Sequence, residues 1–273
     1  MNKNDCFALV IDSVSTMEQV QSIGKSGGKD LPEQGESDID LYIFCTEIPS
    51  ASKRQSAIDS VGSDVRSSNI SEQEGQFWGT CDFATIGNMD FCLMYFTTVK
   101  MSAYIETVLS GERLDREGNY FYPTGRISTI LSMYVLLDKN NYIALLKQRL
   151  AEYPALLSER LIEHHIRRLH GLVTEDMERA VSRKEVLLYH YALEIGIDHF
   201  LQALFALNKC FFPSRKRTVQ YIDKFSIKPI DCANRLLEVV ALGGSPETLF
   251  QSSEIWSALC GELSDLAATG EAR

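Results

Sequence analysis

Asp38 and Asp40 stand one residue apart at the head of an apolar run, Ile39, Leu41, Tyr42, Ile43 and Phe44. A strand has a side-chain period of two, so both carboxylates point to one face with Cα atoms about 6–7 Å apart. Two carboxylates at that spacing repel each other unless a cation relieves them. Magnesium suits such a pair, because it takes oxygen ligands and often only one or two carboxylates, filling its shell with water and substrate phosphates. An isolated Asp-x-Asp fits equally a strand entered through a polar turn with both acids solvated, so the neighbouring segments carry the decision.

Upstream lies Ser22-Ile23-Gly24-Lys25-Ser26-Gly27-Gly28-Lys29-Asp30. Glycines let a backbone approach a phosphate closely, and backbone N–H groups and the Ser26 hydroxyl can donate to it. Gly24, Lys25 and Ser26 are the candidate phosphate contacts. A P-loop is excluded, since its first glycine would have to be Gln19. Downstream, residues 88–96 form an apolar run with one acid, Asp90. An acid in a strand fit for burial is costly unless it is paired or bound to a metal. Asp82, between Cys81 and Phe83, is its rival.

A Gly-Ser turn followed by a short variable stretch and then Ser37-Asp38-Ile39-Asp40-Leu41 resembles the DNA polymerase β-like nucleotidyltransferase superfamily. The resemblance implies that Ser26 contacts the β- and γ-phosphates of a nucleoside triphosphate. It implies that Asp38 and Asp40 hold two Mg²⁺ ions, with a third carboxylate on a neighbouring strand. Asp90 takes that role in preference to Asp82, because the family acid lies on a strand that runs on into a helix, here expected over 101–109. Lys25 stands where a second glycine is common, and the arginine often found after the serine is absent; Lys29 is placed to substitute for it. The reaction so implied moves NMP from an NTP to a hydroxyl of a small molecule or protein, releasing pyrophosphate.

The elements that must position these residues read as follows. A helix over 3–17 leads to a strand over 20–23, the glycine turn, and a strand over 38–44. A helix over 52–58 and a polar loop come next. Two strands, 77–85 and 89–96, form a hairpin turned at Ile86-Gly87-Asn88. Residues 112–125 are charged and turn-rich and read as a passage between domains. From Ile127 the pattern is helical, with helices over 127–138, 142–153, 154–170, 174–207, 214–225, 229–242 and 245–266. Residues 267–273 are expected to fray. The expected fold class is α+β: a small mixed-sheet domain over 1–110 and an all-α bundle over 127–273. That layout resembles kanamycin- and lincosamide-type nucleotidyltransferases, by motif over about the first 100 residues and by architecture over the rest. In them the bundle walls the active site and binds the acceptor.

Within the helical half, Lys209, Arg215, Lys216 and Arg217 form a basic cluster. Of these, Lys209 and Lys216 are the candidates for neutralising a leaving pyrophosphate, and a solvated basic helix start reads the same way. Glu194 and Asp198 lie at i and i+4 on one helix face; one of them, Glu194 in the first place, is the candidate general base for an acceptor hydroxyl, and an exposed polar face reads the same way. His164, His165 and His170 read as packing or surface histidines, and Trp78 and Trp256 as core.

Composition narrows the partners. The net charge of −10 and pI near 5.1 argue against an extended nucleic-acid surface, which is usually basic. No run reaches the roughly 18 apolar residues of a membrane span. Seven cysteines without a C-x-x-C pair argue against zinc and for buried thiols in a reducing cytoplasm. A second class of function stays compatible with the same residues: a catalytically weak nucleotide-binding or antitoxin-like interaction module.

Overall fold

The computed structural model describes residues 3–32, 38–72, 79–118 and 121–269, with the backbone alone at Leu172. Ser37, Phe77 and Trp78, named above, lie outside the described residues, as do 270–273 of the expected fraying tail.

The chain is of mixed α+β class. In order it forms α1 (Lys3–Ser15), β1 (Val20–Lys25), β2 (Ile39–Cys45), α2 (Ala51–Asp59), β3 (Val65–Asn69), β4 (Thr80–Ile86), β5 (Met89–Thr97), α3 (Thr98–Leu109), α4 (Pro123–Ser132) and β6 (Tyr134–Asp138). Then follow α5 (Tyr142–Leu150), α6 (Ala155–Leu169), α7 (Leu172–Arg183), α8 (Val186–Leu207), α9 (Thr218–Ile222), α10 (Cys232–Leu242) and α11 (Leu249–Ala268). Among the described residues, no helix is long and apolar enough to cross a membrane.

The chain packs into two compact units: residues 1–107 with 126–152, and residues 108–125 with 153–273. The expectation of 1–110 against 127–273 differs from this by the segment 126–152, which belongs with the sheet. The reason is β6. Residues 127–138 were expected as one helix, but α4 ends at Ser132 and Tyr134–Asp138 returns as an antiparallel strand beside β1. An apolar run this short serves a helix or a strand equally well by pattern, and the open edge of β1 selects the strand.

In the first unit the sheet order is β3-β4-β5-β2-β1-β6, with β2 and β5 parallel and the other pairs antiparallel. β3 falls in the segment expected to be loop; its residues are largely polar and exposed, as an edge strand permits. The odd-numbered residues of β2, Ile39, Leu41, Ile43 and Cys45, form a core with Leu93 and Tyr95 of β5, Val10 and Val14 of α1, and Ile58 of α2. The even-numbered face is covered only in part. Phe44 packs against Tyr142 of α5, and Tyr42 against Phe96 of β5. Tyr142 donates from its hydroxyl to the Thr98 carbonyl (2.9 Å), tying α5 to the start of α3.

The second unit is helical. Its core gathers Phe200, Leu204 and Phe205 of α8 with Trp256 and Leu259 of α11 and Leu236 of α10, so Trp256 is core as expected. The long helix expected over 174–207 is broken. Lys184 adopts a left-handed conformation (φ 56°) and stops α7, with Glu185 N–H donating back to the Ala180 carbonyl (2.9 Å). The basic stretch expected as a helix over 214–225 is mostly turn, with only one short helix, α9.

Candidate functional site

The site begins with the antiparallel pair β1 and β2. Lys25 pairs with Leu41, and one residue further on the Ser26 N–H donates to the Asp40 carbonyl (3.0 Å). This bond fastens the glycine turn to the strand that carries the acids. Gly27 and Gly28 then take φ of 79° and 85°, a region that L side chains rarely enter. A Cβ added to either would meet nothing within 4 Å, so the turn presents open backbone. The Ser26 side chain is half-buried.

β2 carries Asp40 half-buried and Asp38 exposed just before it. On their face Tyr42 and Phe44 are covered by other side chains, and the cover ends at Asp40. The parallel register sets Asp40 beside Cys92 and Ile39 beside Phe91. One residue back, the same register sets Asp38 alongside Asp90. Parallel neighbours share a face, so Asp90 lies on the carboxylate face as expected from sequence. Asp90 is exposed and accepts a hydrogen bond from the Thr85 hydroxyl (2.7 Å).

Asp82 faces the other way. It pairs with Leu93 and is fully buried, forming an ion pair with Arg54 of α2 and accepting from the Ser71 N–H (3.0 Å). Arg54 donates further to the Pro49 (3.0 Å) and Ser71 (2.6 Å) carbonyls. Burial raises the Asp82 carboxyl above its ordinary value, and Arg54 offsets this only in part. Asp82 is therefore a structural ion pair on the α2 side of the sheet, leaving Asp90 as the third acid of the site face.

Two of the three phosphate contacts expected in the turn serve it from inside. Gly24 is buried in β1, and a Cβ there would run into the Met133 sulfur, so glycine is required by packing beneath the β1–β6 edge. Lys25 is buried as well; its ammonium donates to the carbonyls of Asp30 (2.9 Å) and Ser26 (3.2 Å) and holds the turn closed. Burial lowers its pKa, with Asp30 and Asp40 acting against that. Ser26 alone of the three keeps an accessible side chain.

Sequence reasoning missed three neighbours of the acids. Arg126 of α4 is buried with its guanidinium 4.6 Å from the Phe96 ring centroid, 5.8 Å from Tyr104 and 5.9 Å from Tyr42. It places a cation one side chain away from Asp40 along β2. Nothing local in the sequence signals it, because it stands between the stretch read as an interdomain passage and the first helix expected after it. Cys92 and Cys81 are the others. The neighbouring Cys81 thiol raises the Cys92 thiol above its ordinary value. Burial and the Asp40 and Asp38 carboxylates push Cys92 further up. The two-residue period that puts Asp90 on this face also puts Cys92 there, so this neighbour was legible.

The helical unit holds its own charged cluster. Asp198 is buried and accepts from the Tyr122 hydroxyl (2.6 Å), Arg215 Nε (2.6 Å) and an Arg116 nitrogen (2.8 Å). Glu194, one turn earlier and exposed, lies 3.5 Å from Arg116 and 3.9 Å from Arg215. The pair does share a face, as expected, but Asp198 is the hub of a buried network. His165 and His199 meet at 2.9 Å through their Nδ1 atoms, and His165 also contacts the Leu114 carbonyl (3.2 Å), so the packing role expected of His165 holds. His164 is paired with Asp115 (2.8 Å), and His170 with Ser264 (2.7 Å). Lys209 is exposed, in a left-handed conformation just after α8; Lys216 is exposed in the turn before α9, not inside it. Among the described residues, no group of three or more His, Cys, Asp or Glu side chains stands close enough to hold a metal ion.

This architecture is that of a nucleotidyltransferase-like fold. The solved structure of a nucleotidyltransferase-like protein from Exiguobacterium sibiricum 255-15 superposes with a TM-score of 0.50 at 9% identity, over 97% of this chain and 75% of that one. Residues 121–217 match the family described as a domain of unknown function, DUF4037. That span begins beside Tyr122 and ends just after Arg215, enclosing most of the Asp198 network. No curated protein matches the chain.

Proposed function

We propose that the chain is a Mg²⁺-dependent nucleotidyltransferase that transfers NMP from an NTP to a hydroxyl of a small-molecule or protein acceptor, with release of pyrophosphate. The observation that carries the reading is the union of Asp38 and Asp40 on one sheet face with an open glycine turn fastened to Asp40 through the Ser26 N–H. The donor set is hard oxygen and fits Mg²⁺, which draws the rest of its shell from water and triphosphate oxygens. Asp38 and Asp40 would hold it; Asp90 lies on the same face but does not form a three-ligand cluster with them in this structure, and is proposed to join as third ligand once the ion is bound. Such ions supply charge neutralisation and a lowered pKa for the attacking hydroxyl. The chain's own contribution is positioning. Ser26 and the turn amides donate to the β- and γ-phosphates, and the bond from Ser26 to Asp40 keeps phosphates and acids in register. In the helical unit, Glu194 is the carboxylate proposed to receive the acceptor's proton. Lys209 and Lys216 are the exposed cations proposed for the leaving pyrophosphate.

Thermal-shift measurement with ATP and Mg²⁺ tests the site. Wild type should be stabilised, and Asp38→Asn with Asp40→Asn should fold normally yet lose the shift. Equal stabilisation of both proteins would remove the metal site. Pyrophosphate release over a panel of hydroxyl acceptors tests the reaction. One observation favours the second reading, a catalytically weak nucleotide-binding or antitoxin-like module: the residue directly beside Asp40 on β5 is Cys92, a protonated thiol, not an acid. That reading expects nucleotide binding with no pyrophosphate from any acceptor.

A further inference from the structure

We propose that Cys81 and Cys92 form a peroxide-oxidisable dithiol, a modification site set into the carboxylate face. All seven cysteines are reduced thiols; five are buried, and Cys81 and Cys210 are partly exposed. Of these two, Cys81 alone has a second thiol at hand. In the antiparallel pair of β4 and β5, Cys81 stands opposite Met94 and Phe83 opposite Cys92. The two cysteines are thus diagonal neighbours on one face, and Cys92 is the direct neighbour of Asp40 on its other side.

The chemistry balances with a hydroperoxide as oxidant. The Cys81 sulfur attacks the peroxide: an S–O bond forms, the O–O bond breaks, and the departing oxygen takes a proton. Cys81 is then a sulfenic acid. The Cys92 sulfur attacks it, an S–S bond forms, the S–O bond breaks, and water leaves with the Cys92 proton. With hydrogen peroxide, two thiols give one disulfide and two waters. Cys81 is the accessible first sulfur, and Cys92, buried beside it on the same face, resolves. Diagonal Cα atoms lie about 7–8 Å apart, whereas a disulfide takes at most about 6.8 Å, so closure draws β4 and β5 together by about an ångström. That shift occurs beside Asp40 and, two residues away, Asp90. Resting on the nucleotidyl-transfer reading, oxidation therefore weakens cation binding.

The test uses the intact reduced protein. It is treated with hydrogen peroxide, alkylated in denaturant and digested without reductant. A Cys81–Cys92 cross-link is expected, with the other five cysteines alkylated. In Cys92→Ser, Cys81 should accumulate as a sulfenic acid that dimedone traps. Full alkylation of Cys81 after peroxide that oxidises glutathione in the same tube would overturn the proposal, as would a Cys92→Ser protein without the dimedone adduct. Mn²⁺ affinity, measured by titration, should be about tenfold weaker in the oxidised form. Equal affinity in the two forms removes the control by thiols. A reduced protein that binds no Mn²⁺ instead counts against the nucleotidyl-transfer reading, with the peptide map still deciding the dithiol.

Discussion

Removing Asp82 should cost fold stability and leave the carboxylate face intact. Arg54 and Asp82 are almost wholly inaccessible, and among the described residues Asp82 is the acid paired with the guanidinium. In Asp82→Ala, Arg54 keeps the Pro49 and Ser71 carbonyls, neutral acceptors at 3.0 and 2.6 Å, and the Tyr95 ring at 5.3 Å, but loses its paired acid. Breaking a buried pair from one side strands a charge in low dielectric, at about 3–5 kcal/mol. For a chain of this size that lowers Tm by roughly 6–20 °C. Replacing both partners with apolar residues of similar volume, Arg54→Met with Asp82→Leu, leaves no stranded charge and should recover most of the loss. Urea unfolding of the wild type, the single variant and the double variant measures this directly. A single variant within about 1 kcal/mol of wild type would refute the argument, since that is no more than an exposed pair is worth. So would a double variant no more stable than the single. At a temperature where Asp82→Ala is still folded, pyrophosphate release should persist; its loss, with Asp90→Ala still active, would hand the third-ligand role to Asp82.

Asp90→Ala should show the opposite pattern, with unchanged urea midpoint, retained ATP–Mg²⁺ affinity, and turnover reduced by on the order of a hundredfold or more, read as pyrophosphate release. Gly24→Ala should destabilise by about 1–3 kcal/mol through its clash with Met133 and leave ATP binding unaltered in the folded fraction; weakened ATP affinity at full folding would restore Gly24 to the phosphate site. Asp198→Ala should destabilise the helical unit by about 1–3 kcal/mol, because Tyr122 loses its acceptor while the two partly exposed arginines keep solvent and Glu194; circular dichroism melts report it. Stability should also fall on acidification. Burial lowers His165 to about 3 and His199 to about 4. Below the ordinary value of 6.5 the unfolded chain binds protons that the folded chain refuses, so stability is lost as pH falls from about 7 towards 4, at up to about 1.4 kcal/mol per pH unit per proton. Urea midpoints between pH 7.5 and 4.5 should show this slope, and His199→Phe should flatten it; identical slopes would assign the effect elsewhere.

The acids and their common face were legible in the sequence because they depend on local geometry. Residues 38 and 40 share a face in any strand, and the apolar run after them guarantees a strand. Asp90 stood out as a lone acid in an apolar run that leads into a helix, and the hairpin at Gly87 was set by turn chemistry. The helix of residues 3–15 and the helical character after residue 142 rest on periodicity that short-range packing reinforces. Register, partnership and burial were decided only by the tertiary structure. Tyr134–Asp138 became a strand because β1 had an unpaired edge. Asp82 and Asp90 are alike in sequence, one acid in each of two adjacent strands. They differ because α2 brings Arg54 against Asp82 in the core, whereas Asp90 lies exposed on the opposite face with the Thr85 hydroxyl as its donor. Gly24 and Lys25 look like phosphate contacts until Met133, more than a hundred residues away, covers the one and the turn's own carbonyls engage the other. Arg116 and Tyr122 reach Asp198 across some eighty residues of chain. Local spacing sets which way a side chain points; what it meets there depends on contacts between segments far apart in sequence, and these exist only in the folded chain.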